Sequence, residues 1–150
     1  MQELKASLYQ LCLKFIEERI QTAEIALKQA REASNDDTKS SAGDKYETSR
    51  EMMQQDIDRN KRLLIDAEEN LMLLNSIKDA VPTDAARNGS LVYTSEGNFY
   101  LSISAGQLHL GKDVFFAISA FSPIGKLLLG KGKGDQFDFN GKKYLIKEIS

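Results

Sequence analysis

The chain has 150 residues, 41% of them hydrophobic and 28% charged, which is enough to bury a core in one or two small domains. Its net charge of -2 argues against nucleic-acid binding by bulk attraction. One cysteine and one histidine exclude an internal disulfide and a structural zinc site, and no apolar run is long enough for a membrane span. We therefore expect a cytoplasmic protein without membrane contact and without sequence-specific DNA binding.

The two halves of the chain differ in composition. Residues 1–80 contain 12 Lys and Arg against 16 Asp and Glu, a net charge of -4, whereas residues 81–150 contain 8 against 6, a net charge of +2. The first half has a single glycine and no proline, while both prolines and the other nine glycines lie in the second half. A domain boundary is therefore predicted near residue 81, between domains at 1–80 and 81–150.

The first half predicts an antiparallel coiled-coil hairpin, because apolar residues recur at alternating spacings of three and four on both sides of a break at 35–47. Folding the chain at this break pairs positions at a nearly constant sum, with Ile20 opposite Leu64 and Leu13 opposite Leu71. Helices of about 30 residues would form a finger on the order of 45 Å long. The seam residues are Ala6, Tyr9, Leu13, Ile16, Ile20, Ala23, Leu27 and Ala30, with Met53, Ile57, Asn60, Leu64, Ala67, Leu71 and Leu74.

A second, shorter apolar stripe marks the open end of this hairpin. It either docks onto the second half of the chain or serves as a dimerisation seam or ordinary core. We expect a monomer. The stripe consists of Leu4, Leu8, Leu11, Phe15, Met72, Leu73 and Ile77.

The break between the helices carries four carboxylates, Asp36, Asp37, Asp44 and Glu47. Two roles stay open for them. Asp44 followed three residues later by Glu47 fits a capping box, and Asp36 or Asp37 would then cap or solvate a turn. Carboxylates at the end of a finger are also the ligands that a hard divalent cation prefers.

The second half predicts a small antiparallel sheet with one short helix, so the fold class is α+β. Strand patterns cover 91–94, 99–103, 114–118, 137–139 and 143–149, and Asn140-Gly141 favours a two-residue type I′ turn. Ser122, Pro123 and Gly130 occupy the N-cap, N1 and C′ positions of the helix. Three lysines are expected on a solvated face, or against RNA or an acidic partner surface, namely Lys126, Lys131 and Lys133.

The segment from Ile118 to Asp135, ISAFSPIGKLLLGKGKGD, resembles the signature of the C-terminal domain of bacterial Gre transcript-cleavage factors. That pattern runs I-S-x-x-S-P-I/L-x-x-x-L-x-G-K-x-x-x-D, and each of its fixed positions is met. Gre proteins also have an N-terminal coiled-coil hairpin, an FKBP-like C-terminal domain and a similar length. The helices of the hairpin also resemble those of the family on both sides of the break at 35–47, which is the tip of the finger. The matching residues are Ala30-Arg31-Glu32 before the tip and Tyr46, Arg50 and Glu51 after it.

The resemblance implies a transcription elongation factor that binds RNA polymerase. Docking would use Ser122, Pro123 and Ile124, and the hairpin would enter the secondary channel. Tip carboxylates would help to hold a second Mg²⁺ at the polymerase active site, where the 3′ end of backtracked RNA is hydrolysed. The chain would then activate the nuclease activity of the polymerase, with no cofactor of its own. The carboxylates concerned are Asp37, Asp44 and Glu47, with Asp36 beside them.

Two alignments of the tip stay open against the family pattern Gly-Asp-x-x-Glu-Asn. If Asp37 replaces the family aspartate, Ser40 stands where the glutamate is expected. If Gly43, Asp44 and Glu47 are used, the spacing is kept, but Thr48 replaces the asparagine.

Two other functions also stay open. One is a channel binder that regulates transcription without cleavage. The other is an FKBP-like prolyl isomerase or chaperone, which would need an apolar pocket lined by aromatic rings. The aromatic residues of the second half are as easily accounted for by the core of a sheet: Phe99, Tyr100, Phe115, Phe116, Phe137 and Phe139.

Overall fold

The computed structural model describes the backbone of residues 2–40 and 44–150 and the side chains of residues 2–35 and 48–150. Two long helices are followed by a six-stranded, mostly antiparallel sheet and a short helix, so the predicted α+β class is confirmed. The helices are α1 Gln2–Ser40, α2 Asp44–Ser76 and α3 Pro123–Leu128; the strands are β1 Leu91–Thr94, β2 Gly97–Leu101, β3 Gly106–Leu110, β4 Asp113–Ile118, β5 Gln136–Phe139 and β6 Lys142–Ile149.

The helices α1 and α2 have 39 and 33 residues, and neither contains the proline or glycine that would interrupt it. Because only three residues separate them and they pack together in one compact unit, Ile16–Leu71, they run antiparallel. The predicted break at 35–47 is too wide, since residues 35–40 continue α1 and residues 44–47 begin α2. Among the described residues, none of the helices is long and apolar enough to cross a membrane.

The predicted coiled-coil seam is the buried face of the unit Ile16–Leu71. Apolar residues that fall off the seam, Ile25, Leu63 and Ile65, are 50 to 53% exposed. Ala6, which lies outside this unit, is exposed although the pattern predicts it in the seam. The buried seam residues of the unit are Ile16, Ala23, Leu27, Ile57 and Ala67.

The second compact unit consists of Met1–Phe15 and Met72–Ser150, so it takes in one end of each long helix as well as the sheet. Leu8, Cys12 and Leu74 have no exposed surface in it, and Cys12 Sγ lies 3.7 Å from Ser102 Oγ. The second apolar stripe is therefore partly core. Met72 is the exception, with 71% of its side chain exposed.

The strand order is β3-β4-β2-β1-β6-β5, and all neighbours are antiparallel except β2 and β4. The sequence predicts an antiparallel sheet, and only the pair β2 and β4 departs from it. The sequence prediction also misses β3, and both differences have one cause. Because β3 forms a hairpin with β4 through Leu110 and Asp113, β4 returns to the sheet parallel to β2.

The predicted type I′ turn between β5 and β6 is confirmed. Asn140 and Gly141 have φ values of 50° and 78°, the pair of positive angles that this turn requires. The turn fixes the register of the last hairpin, with Phe139 paired with Lys142.

One hydrophobic core lies between α3 and the strands. The rings of Phe137 and Tyr144 stack in it with their centres 4.9 Å apart, and Leu128 of α3 is fully buried beside them. Phe99 and Phe137 are thus part of a packed core, and Phe116 and Phe139 pack against it. Its buried residues are Ala86, Val92, Phe99, Leu101, Leu128, Phe137, Tyr144 and Ile146.

Candidate functional site

The residues between β4 and α3 form a tight turn centred on Ser119. Its carbonyl oxygen accepts hydrogen bonds from the Ser122 backbone N–H (3.0 Å) and hydroxyl (2.6 Å). Its own Oγ accepts a third bond from the Phe121 N–H at 3.1 Å. Because these bonds fix consecutive residues, the turn has one defined backbone path.

Ser122 is the N-cap of α3, as the sequence predicts. Its Oγ accepts from the Gly125 N–H at 3.1 Å, and its carbonyl oxygen accepts from the Lys126 N–H at 2.9 Å. Pro123 follows at the start of the helix, where a missing N–H costs nothing. The hydroxyl of Ser122 therefore holds the helix by accepting one bond and donating another.

Gly125 of α3 packs directly against the turn around Ser119. A Cβ on this residue would collide with the carbonyl oxygen of Ser119 and would lie 2.8 Å from Ser122 Oγ and 3.0 Å from Ala120 Cα. Sequence reasoning did not assign Gly125 a role. The signal that could have identified it is a glycine in the middle of a short helix. Glycine destabilises a helix, so its presence there indicates a close packing contact.

The end of the signature segment is held by turns. Gly130 has φ 81° at the predicted C′ position, and its N–H donates to the Ala86 carbonyl oxygen at 2.8 Å. The Ala86 N–H donates in return to the Lys131 carbonyl oxygen at 2.8 Å. Asp135 Oδ2 accepts from the Gly132 N–H at 2.7 Å. Signature residues at both ends of α3 thus shape the backbone around it.

The three predicted docking residues differ in what they expose. Ser122 and Ile124 are partly buried, and Ile124 packs against the hydrophobic core. Pro123 is exposed. Phe121, which sequence reasoning did not single out, is 81% exposed beside them. The surface of this site therefore consists of Phe121 and Pro123, with Ser122 and Ile124 supporting them.

The predicted tip acids lie outside the described side chains, so their metal role stays a prediction. Their backbone positions are described: Asp36 and Asp37 lie near the C-terminal end of α1, and Asp44 and Glu47 lie at the start of α2. Negative charge stabilises the start of a helix and destabilises its end. Helix stabilisation therefore explains the negative charge of Asp44 and Glu47 at the start of α2. It does not explain the negative charge of Asp36 and Asp37 near the end of α1.

Across residues 2–35 and 48–150, no group of three or more His, Cys, Asp or Glu side chains is placed to hold a metal ion. A cleft of about 250 Å³ lies where the start of α1 meets residues 77–82. Lys5 Nζ donates there to the Ala80 carbonyl oxygen at 3.5 Å, and Arg87 Nη2 donates to the Val81 carbonyl oxygen at 3.3 Å. Burial, with a smaller effect of Arg87, lowers the pKa of Lys5. Lys5, which lines the cleft, and Arg87, which does not, both bind backbone oxygens, so both side chains have a structural role.

No protein-family model matches the chain, and no curated protein is significantly similar to it. Two parts of the chain carry candidate functional residues: the turn around Ser119 with α3, and the acidic residues at the end of α1 and the start of α2.

Proposed function

We propose that the chain is a Gre-like transcription elongation factor, which binds RNA polymerase and stimulates cleavage of backtracked RNA. The observation that carries the proposal is the signature segment from Ile118 to Asp135. Each of its fixed positions is present, and Ser119, Ser122, Gly130 and Asp135 take part in one set of turns around α3. Such a turn presents a defined surface for docking on a partner.

The long helices support the second half of the proposal. Within the unit Ile16–Leu71, α1 and α2 contribute 25 and 28 residues, which extend about 38 and 42 Å at 1.5 Å per residue. That length is enough to carry an acidic end deep into a channel of the polymerase. Asp36 and Asp37 support this role because their place at the end of α1 costs helix stability.

The chemistry would use carboxylates as additional ligands of a Mg²⁺ ion that the polymerase supplies. Asp37, Asp44 and Glu47 are the residues proposed for this task. Mg²⁺ prefers oxygen ligands and keeps several waters, one of which can attack the RNA phosphate. Together with the other metal ion of the polymerase active site, the ion held by these carboxylates would supply stabilisation of the attacking and the leaving oxygen.

The direct test adds the purified chain to stalled, backtracked elongation complexes and measures shortened RNA. We expect shortening that depends on Mg²⁺ and that falls in at least one of the variants Asp37→Asn, Asp44→Asn and Glu47→Gln. Glu68→Gln, an exposed carboxylate elsewhere on α2, is the matched control. If RNA is shortened equally by all variants, the tip assignment is wrong; if the chain neither binds polymerase nor shortens RNA, the proposal is wrong.

A second candidate is a channel binder that does not stimulate cleavage. Ser40 favours it, because a hydroxyl stands where the family glutamate is expected when Asp37 is aligned with the family aspartate. Binding to polymerase without shortened RNA would support this candidate. The prolyl isomerase alternative has less support, since Phe99, Phe115 and Phe137 are at most 8% exposed and fill the core.

A further inference from the structure

Phe121 is the most exposed large apolar side chain among those that the structure describes, at 81%. It does not sit in a loose loop. Its N–H is bound to Ser119 Oγ, and the next residue is bound twice to the Ser119 carbonyl oxygen. A phenyl ring exposed to water gains nothing for folding. Because the backbone that carries it is fixed, only the side-chain torsions of Phe121 have to be ordered when the ring enters a partner.

The surroundings of Phe121 give the chemistry of that partner. Pro123 adds exposed apolar surface two residues later. Lys126 is exposed on α3. Residues 119–135 contain three lysines and one carboxylate, a net charge of +2, and that carboxylate, Asp135, already accepts a backbone hydrogen bond. The patch is therefore apolar with a basic edge.

We infer that Phe121 is the anchor with which this chain docks on the polymerase, inserting into an apolar socket that acidic side chains surround. Lys126 pairs with those acidic side chains. Ser122 and Gly125 position the anchor, and Ile124 fixes the turn to the core. The inference rests on the proposed function for the identity of the partner, and it moves the contact from Ser122 and Ile124 to Phe121 and Pro123.

A protein surface suits this patch better than a nucleic acid. Single strands are bound by a basic groove with several stacking aromatic rings, whereas the other phenylalanines in the second half are at least partly buried. A single projecting ring beside a proline is typical of a hot spot at a protein interface. The +2 charge of the segment then favours an acidic rim around the socket and raises the rate of association.

The experiment measures the affinity of labelled chain for purified polymerase with three variants. Phe121→Ser is expected to weaken binding roughly 10- to 100-fold, as removal of an interface anchor does. Lys126→Glu is expected to weaken it less and to reduce its dependence on salt. The matched control is Met72→Gln, which removes another apolar side chain that is 71% exposed. Thermal unfolding of all three should match wild type, since each changes an exposed residue.

The outcomes separate the inference from the proposed function. Wild-type binding that Phe121→Ser leaves unchanged overturns the inference and leaves the proposed function intact. No binding by the wild-type chain overturns both. If Phe121→Ser instead abolishes a dimer of this chain, or binding of an RNA oligonucleotide, the ring serves another occupant and the inference is wrong.

Discussion

Gly125 of α3 lies against the carbonyl oxygen of Ser119 so closely that no side chain fits between them. Ser122 Oγ and Ala120 Cα bound the same space. Because backbone atoms cannot move aside as the end of a long side chain can, the approach of α3 to the turn requires a glycine. This contact fixes the start of α3 and with it the direction in which Phe121 and Pro123 face solvent.

Gly125→Ala is expected to lower the free energy of unfolding. The added methyl group must displace backbone, and overpacking of this kind costs about 1–3 kcal/mol. The better helix propensity of alanine offsets the cost by at most about 1 kcal/mol. Urea denaturation followed by circular dichroism measures the difference. Lys126→Ala, at the exposed neighbouring position, should change stability by no more than about 0.5 kcal/mol. Equal stability of both variants would contradict the close contact.

Ser122→Ala and Ser122→Asp separate the two hydrogen bonds of the cap. Alanine removes the bond from the Gly125 N–H and the bond to the Ser119 carbonyl oxygen, and loss of an N-cap costs about 0.5–2 kcal/mol. Aspartate restores the acceptor for Gly125 but cannot donate to Ser119. We therefore expect the aspartate variant to lie between alanine and wild type in urea denaturation. An aspartate variant as stable as wild type would show that the bond to Ser119 contributes nothing.

The strands show which part of the fold is local in origin. Leu91–Thr94 is predicted with both ends correct, because an apolar run bounded by turn residues carries its own signal. Gly106–Leu110 was missed because its pattern is weak. It opens with Gly106 and Gln107, both exposed, and only Leu108 is buried. It becomes a strand by pairing with Asp113–Ile118, which is a tertiary effect.

The candidate site divides in the same way. The cap at Ser122, the proline after it and Gly130 follow from local rules, and the sequence predicts all three. Exposure of Phe121 does not follow, because it depends on how the turn meets the sheet. The extent of α1 was underestimated for another reason: Asn35, Asp36 and Asp37 are weak helix formers, yet the helix continues through them.

Ile57→Ala and Ile65→Ala make a matched pair on α2 that tests the seam. Ile57 is 8% exposed, whereas Ile65 is 53% exposed. Removing buried aliphatic carbon costs about 2–5 kcal/mol, and the same change on the surface costs about 0.5 kcal/mol or less. Urea denaturation followed by helical circular dichroism should therefore show a large loss only for Ile57→Ala. Equal losses would mean that the three-and-four spacing does not define the packed face.

The buried thiol of Cys12 should lower the free energy of unfolding at high pH. Burial raises the pKa of its thiol from 9.0 to about 11, despite the opposing effect of the hydrogen bond between the thiol and the Ser102 hydroxyl. Between those values the unfolded chain loses the proton while the folded chain keeps it, so stability that is complete below pH 9 is lost as the pH rises. The loss should be about 2 kcal/mol by pH 10.5.

Cys12→Ala tests this effect, although burial also raises the pKa values of Tyr93 and Tyr100. Tyr93 acts equally in both proteins. The charge of Cys12 adds to the raised pKa of Tyr100, and its removal changes the pH dependence in the same direction as loss of the thiol. The variant will be less stable at pH 8, since it loses a fully buried side chain, but its stability should fall less between pH 8 and pH 10.5. Urea denaturation at both pH values measures the two slopes. Parallel losses would mean that the thiol titrates at the same pH in the folded and unfolded chain, which a fully buried Cys12 does not permit.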